Sequence, residues 1–225
     1  MGFDDSTLKT IQAVSGLSFS LFSSLHIGGH LLTNFSYHLG EIAVFANRTI
    51  FHNPYFEIGV IGGSLATHVT SSYLRGYMRK PAKVHGKMLE TKLKELNIHR
   101  TSGYLLSLFM IGHIGATRIV PLLVLDDPSV IDLSYASYAM LQWKSLFFPY
   151  YIALLFTGIY HSCYGIISAL HTFKIKPVQP KIGFWLYFAV GAAIAAVSTV
   201  AALGGAFENI EFTDIRAFEK VYHII

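Results

Sequence analysis

Cysteine is almost missing from this chain. Cys163 is the sole one among 225 residues, which excludes an intramolecular disulfide and any cysteine cluster for zinc or iron–sulfur. Any metal must therefore come through histidine. Charge is also scarce, with Asp, Glu, Lys and Arg making up 13% of the residues. No dinucleotide-binding fingerprint and no Cys cluster is present, so the chain is not expected to oxidise a substrate such as succinate alone. Asp4 and Asp5 precede the first apolar segment, and that segment is too long for a signal-peptide core, so the first helix is expected to stay. An Arg-rich, acid-poor amphipathic presequence is missing too, which leaves mitochondrial import to internal signals.

What the chain does have is apolar sequence, 52% of its residues, gathered into runs rather than spread. A helix needs about 20 residues to cross a hydrocarbon core of roughly 30 Å. Five runs reach that length, at 8–35, 55–78, 99–123, 146–173 and 182–207. The expected fold is an all-α integral membrane protein with five transmembrane helices. It forms a single membrane domain, 1–225, ending in a tail over 208–225.

Bases cluster on one side of these spans. Arg75, Arg79, Lys80, Lys83, Lys87, Lys92, Lys94 and Arg100 lie along the segment that joins the second and third runs and on its flanks, and Lys174, Lys176 and Lys181 between the fourth and fifth. The opposite loops hold Glu41, Asp126, Asp127 and Asp132. The positive-inside rule then places the N-terminus on the cytoplasmic or matrix side and the C-terminus across the membrane. Such a basic surface suits anionic lipid or an acidic partner. It does not suit nucleic acid, because the bases flank spans and lack an interleaved aromatic platform.

The stretch SGLSFSLFSSLHIG (15–28) returns as SGYLLSLFMIGHIG (102–115). Ser15 falls on Ser102, Gly16 on Gly103, and His26-Ile27-Gly28 on His113-Ile114-Gly115, which marks an internal repeat over 8–78 and 99–173. A second helix follows each copy and carries one mid-span histidine, His68 or His161. Both halves run in the same direction, so a pseudo-two-fold axis along the membrane normal relates them.

Residues facing such an axis meet across it: His26 opposite His113, and His68 opposite His161. Two imidazoles approaching from opposite sides is the arrangement that axial ligation of a haem iron requires. The first pair lies roughly 20 Å from the basic side and the second roughly 10 Å, at about 1.5 Å per residue. Two haem groups in the first four helices are expected. Ser15 and Ser102, three turns from their histidines on the same face, sit beside the other haem. An isolated membrane histidine is otherwise a neutral residue bonded to a carbonyl or serine. Four together, one per helix and in register, favour ligation.

Other features are weaker. His30, one turn beyond His26, is an alternative ligand, but the repeat has Thr at position 117. His38, His52, His85, His99, His171 and His223 fall in loops or at ends, where solvated histidine is the default. Arg118, Arg75 and Arg100 are candidates for pairing with haem propionates. Pro54 and Pro149 mark the starts of helices. The fifth helix has many small residues and no ionisable group, and is expected outside the haem bundle.

The S-G-x9-H pattern, HRTSG (99–103) and the lone histidines of helices two and four resemble the di-haem cytochrome b anchor of succinate:quinone oxidoreductases and fumarate reductases. That resemblance covers roughly residues 8–173. It implies His26 and His113 as ligands to a distal haem b, and His68 and His161 to a proximal one. It further implies electron transfer from a flavin and iron–sulfur partner, docked on the basic side, to quinone. HIGATRIVPLL (113–123), PYFEIGV (54–60) and the repeat also resemble the fungal mitochondrial outer-membrane adapter proteins linked to lipid homeostasis. The first resemblance implies a subunit of a respiratory complex in the mitochondrial inner membrane or a bacterial inner membrane. The second implies a non-enzymatic haem-binding adapter or accessory subunit.

Overall fold

The computed structural model describes residues 4–51, 53–78, 87–175, 180–181 and 183–224. Every element among them is a helix. The expected Arg79, Lys80, Lys83 and Lys176 of the basic surface, with His52 and His85, lie outside the described residues.

Helix α1 (Asp5–Leu32) starts where Asp4 accepts the Thr7 amide at 2.7 Å. The Thr7 side chain, and with it that amide bond, holds the Asp4 carboxyl below the usual carboxylate range. α2 (Tyr37–Phe51) follows and folds back along α1. A π-helical turn, Phe56–Gly62, leads into α3 (Gly63–Met78). α4 (Lys87–Ile114) runs through a second π-helical turn, Gly115–Ile119, into the short α5 (Val120–Val124). After α6 (Leu133–Gln142) come the two long apolar helices α7 (Lys144–Thr172) and α8 (Phe184–Leu203), and then α9 (Ile215–Tyr222).

Three helical stretches among the described residues are long and apolar enough to span a membrane: Lys87–Val124, Lys144–Thr172 and Phe184–Leu203. The chain is an all-α membrane protein. The expected five spans are not reached by that measure. α1 has the length, but Ser15, Ser18, Ser20, Ser23, Ser24 and three glycines dilute its apolar content. The 55–78 run is divided between the π-helical turn and α3. Its Gly59, Gly62 and Gly63 are poor helix formers that ease this irregularity.

Other boundaries differ from the expected ones. α4 begins at Lys87, twelve residues before the expected start, so Lys87, Lys92 and Lys94 ride on a helix and not in a loop. Pro149 lies inside α7 and does not open it. Segments read as loops or tail form α2, α6 and α9. α2 packs tightly on α1 because Gly40 lets Thr33 approach, Gly29 meets Val44, and Asn47 Nδ2 donates to the Leu25 carbonyl at 2.8 Å. α9 buries Phe218 and Val221 against Tyr135 and Tyr138 of α6, and Tyr222 stacks on Tyr135.

At the centre, α1 packs on α3 and α7, and α4 packs on α7. α8 lies against α7, with Ala192, Ala196, Thr199 and Val200 turned inward. Asn34, just beyond α1, clasps α8: its Nδ2 donates to Thr199 Oγ1 at 2.6 Å and its Oδ1 accepts from Ser198 Oγ at 2.5 Å.

Candidate functional site: two histidine pairs

The four helices bring the expected histidines together in the expected pairs. The ring centroids of His68 and His161 are 6.0 Å apart with planes crossed at 77°. Those of His26 and His113 are 5.9 Å apart at 62°. Metal–imidazole bonds run about 2.0–2.1 Å, so two rings on one iron have centroids roughly 6 Å apart.

The His68/His161 pair is built twice by the same device. His68 Nδ1 lies 2.9 Å from the Gln12 carbonyl oxygen. His161 Nδ1 lies 3.1 Å from the His99 carbonyl oxygen. Gln12 and His99 occupy the same place in the repeat, three residues before Ser15 and Ser102. A carbonyl only accepts, so each Nδ1 carries the proton and each Nε2 keeps its lone pair. Ser15 Oγ donates to the Ile11 carbonyl at 2.7 Å and to that of Gln12 at 3.3 Å, and Ser102 Oγ donates to that of His99 at 2.8 Å. The repeated serine thus helps fix the carbonyl that fixes the histidine.

The repeated glycine makes the room. A Cβ at Gly16 would stand 2.8 Å from His68 Nδ1, and one at Gly103 would stand 2.6 Å from His161 Cε1. Each imidazole rests on bare backbone of another helix, His68 of α3 on α1 and His161 of α7 on α4. The sequence motif S-G is therefore the seat of a histidine on another helix. That puts Ser15 and Ser102 at the His68/His161 level, where the sequence reading expects them.

Two adjoining cavities of about 130 Å³ each share His68, His99, Gly103 and His161 in their walls. Lys9 lines the first, Arg100 the second and Arg75 both. The space beside the pair is thus bordered by apolar side chains, small residues and cations. Arg75 Nε donates to Asp5 Oδ1 at 2.9 Å and its Nη1 to Gln12 Oε1 at 2.6 Å.

His99 is the site residue that sequence reasoning misplaces. It sits inside α4 and not at a solvated end, stacked on His161 at 4.4 Å and on Tyr164 at 4.4 Å. Its Nδ1 is buried with no hydrogen-bond partner among the described residues. The repeat offset that maps His26 onto His113 also maps Gln12 onto His99, and that signal places it beside the site. His38, His171 and His223 are exposed as expected.

The His26/His113 pair is differently furnished. Phe22 stacks on His26 at 5.4 Å, and His30 stands edge-on to it at 4.7 Å. The Nδ1 atoms of His30 and His113 are buried and unpartnered among the described residues. Arg118, expected to meet a propionate, is committed elsewhere. Its Nε and Nη2 donate to both carboxylate oxygens of Glu57 at 2.5 Å. Each of the two π-helical turns supplies one member of this fork. Among the described residues, no three His, Cys, Asp or Glu side chains form a group that could hold a free metal ion. Ligation of a haem iron needs only the two axial positions.

Residues 108–210 match the family model of the MDM10-complementing protein 1 transmembrane domain. The match runs from the second half of α4 through α8 and includes His113 and His161. No curated protein and no solved structure matches the chain.

Proposed function

We propose that the chain is a multi-pass mitochondrial membrane adapter, without catalysis of its own, that holds haem b between His68 and His161. The observation that carries the haem reading is the doubled seat. Two histidines from α3 and α7 have their Nδ1 protons bonded to repeat-equivalent carbonyls, and their rings are a haem-iron distance apart. Hydrogen bonding of the outer ring nitrogen orients a ligating histidine and raises its basicity.

The residues fit the group. Gly16 and Gly103 leave space for the rings, and the adjoining cavities give edges for a macrocycle. Arg100 and Lys9 line the cavities and supply positive charge for propionates, and Arg75 beside them is held by Asp5 and Gln12. When bound, haem supplies a one-electron redox centre; the chain's own residues bind it, orient its ligands and surround it with apolar side chains.

The adapter reading follows from the matched transmembrane family model and from the resemblance to fungal mitochondrial outer-membrane adapters. Lipid and protein partners in that membrane are its expected associates. The electron-transferring reading, with a flavoprotein partner and quinone, has no comparable support. The deciding experiment is a pyridine haemochrome assay on the purified chain, followed by titration with a quinol. Bound haem b that no quinol reduces, in a chain that purifies without a flavoprotein, is the expected result. Quinol-reducible haem with a co-purifying flavoprotein returns the chain to the respiratory anchor role. Folded protein with no haem overturns the haem reading.

A further inference from the structure

We infer that the two histidine pairs are not equivalent and that the chain takes one haem, at His68/His161, although its repeat supplies ligands for two. The inference rests on the haem reading above and concerns where the group binds and how many are held.

The difference lies in what each pair would need in order to present Nε2 lone pairs to iron. Neutral imidazole has one N–H and one lone pair, so ligation through Nε2 requires the proton on Nδ1. At His68 and His161 that proton already has a carbonyl acceptor, at 2.9 Å and 3.1 Å. His113 Nδ1 is buried with no acceptor among the described residues. Ligation there would leave a donor unsatisfied in an apolar bundle, which is disfavoured. The Nε2-protonated tautomer puts no proton on that buried Nδ1, and it has no Nε2 lone pair for iron.

Space argues the same way. The repeat has Thr117 where the first copy has His30. Thr117 Oγ1 folds back onto its own helix, donating to the His113 carbonyl at 2.6 Å. His30 instead presses a second imidazole edge-on against His26 at 4.7 Å, with Phe22 stacked beside it. His30 thus adds bulk beside His26 that the second copy does not place beside His113. The copies therefore diverge beside His26; at the other pair the extra ring, His99, stacks on His161 and forms part of the cavity walls.

The test is haem stoichiometry in the wild-type full-length chain and in His68→Ala and His113→Ala, each checked for folding by circular dichroism. One haem per chain in the wild type, one in His113→Ala and none in His68→Ala is expected. Two haems in the wild type, falling to one in either variant, overturns the inference while leaving the haem reading intact. A single haem lost with His113 and kept without His68 also overturns it. A folded wild-type chain with no haem defeats the haem reading itself. Should His68→Ala fail to fold, ferric electron paramagnetic resonance of the wild type decides. One low-spin species, strongly anisotropic as crossed axial imidazole planes make it, agrees with the inference; two species overturn it.

Discussion

Gly103 lies directly under the imidazole of His161, leaving no room for even one more carbon: an added Cβ would stand 2.6 Å from Cε1 and 3.0 Å from Nδ1. Gly16 has the same relation to His68. Two glycines that repeat in the sequence thus share one structural cause, a ring from α3 or α7 that must reach a backbone carbonyl.

Replacement of either glycine by alanine tests this cause. Alanine is favoured over glycine in a helix interior by about 1 kcal/mol. Overpacking a fixed neighbour costs about 1–3 kcal/mol, and the neighbour here is also tied by a hydrogen bond. The second effect is the larger, so Gly16→Ala and Gly103→Ala are expected to lower thermal stability in detergent and haem content together. Gly191→Ala on α8, where nothing lies within 4 Å of an added Cβ, is the control and should be neutral or stabilising. A Gly103→Ala chain as stable as that control would show that His161 does not need its seat.

The Glu57–Arg118 fork gives a second prediction. Both side chains are about three-quarters withdrawn from solvent, and the pair ties the two π-helical turns together. Hydrogen bonds to charged partners contribute about 1.5–3 kcal/mol. Glu57→Gln and Arg118→Gln should each destabilise within that range. In a double-mutant cycle the two losses should fall short of adding by at least about 1 kcal/mol. Additive losses would mean that the fork contributes nothing as a pair. Arg118→Gln should leave haem content unchanged; a loss would return Arg118 to the propionate role expected from sequence.

The central architecture is legible in the sequence because the repeat carries it. Aligned Ser, Gly and His positions place His26 on His113 and bring His68 to His161, and the structure pairs both. What escaped is set by contacts between elements far apart in the chain. Glu57 and Arg118 each look like isolated charges near a span end until two helices meet. His99 reads as the edge of an apolar run, because hydropathy falls there and the helix does not. α2, α6 and α9 were expected as loops or tail because each is short, and their apolar sides become meaningful only against α1 and against one another. Among the described residues three helical stretches, and not five, meet the length and hydropathy of a span, for the converse reason. Apolar runs of sufficient length do not reveal a π-helical turn, or how far serine and glycine dilute a helix.

Ser102 offers a finer test of the seat. Its hydroxyl donates to the His99 carbonyl at 2.8 Å, the same oxygen that accepts from His161 Nδ1. Ser102→Ala removes one of two donors and leaves no buried donor stranded, so the loss should be only about 0.5–1.5 kcal/mol. Haem should remain, with a shifted midpoint potential, because the hydrogen bonding behind an axial ligand tunes the iron. An unchanged potential in a folded, haem-loaded Ser102→Ala chain would mean that the serine serves only helix packing.

The last prediction concerns α8, which the sequence places outside the histidine bundle. Asn34 holds it there through Thr199 and Ser198, and also donates to the Leu31 carbonyl at 2.9 Å. Side-chain hydrogen bonds within a bilayer average about 0.6 kcal/mol. Asn34→Ala, which breaks all three contacts, should therefore cost roughly 1–3 kcal/mol and leave the Ser198 and Thr199 hydroxyls without that partner. Both can turn to carbonyls of their own helix, so the fold should survive with a looser α8. Hydrogen exchange in detergent should then quicken along α8 while α1, α3 and α4 stay protected. Haem content should not change, because none of these residues lines the His68/His161 site. Uniform quickening across all the helices would instead show that α8 and the histidine bundle unfold as one unit.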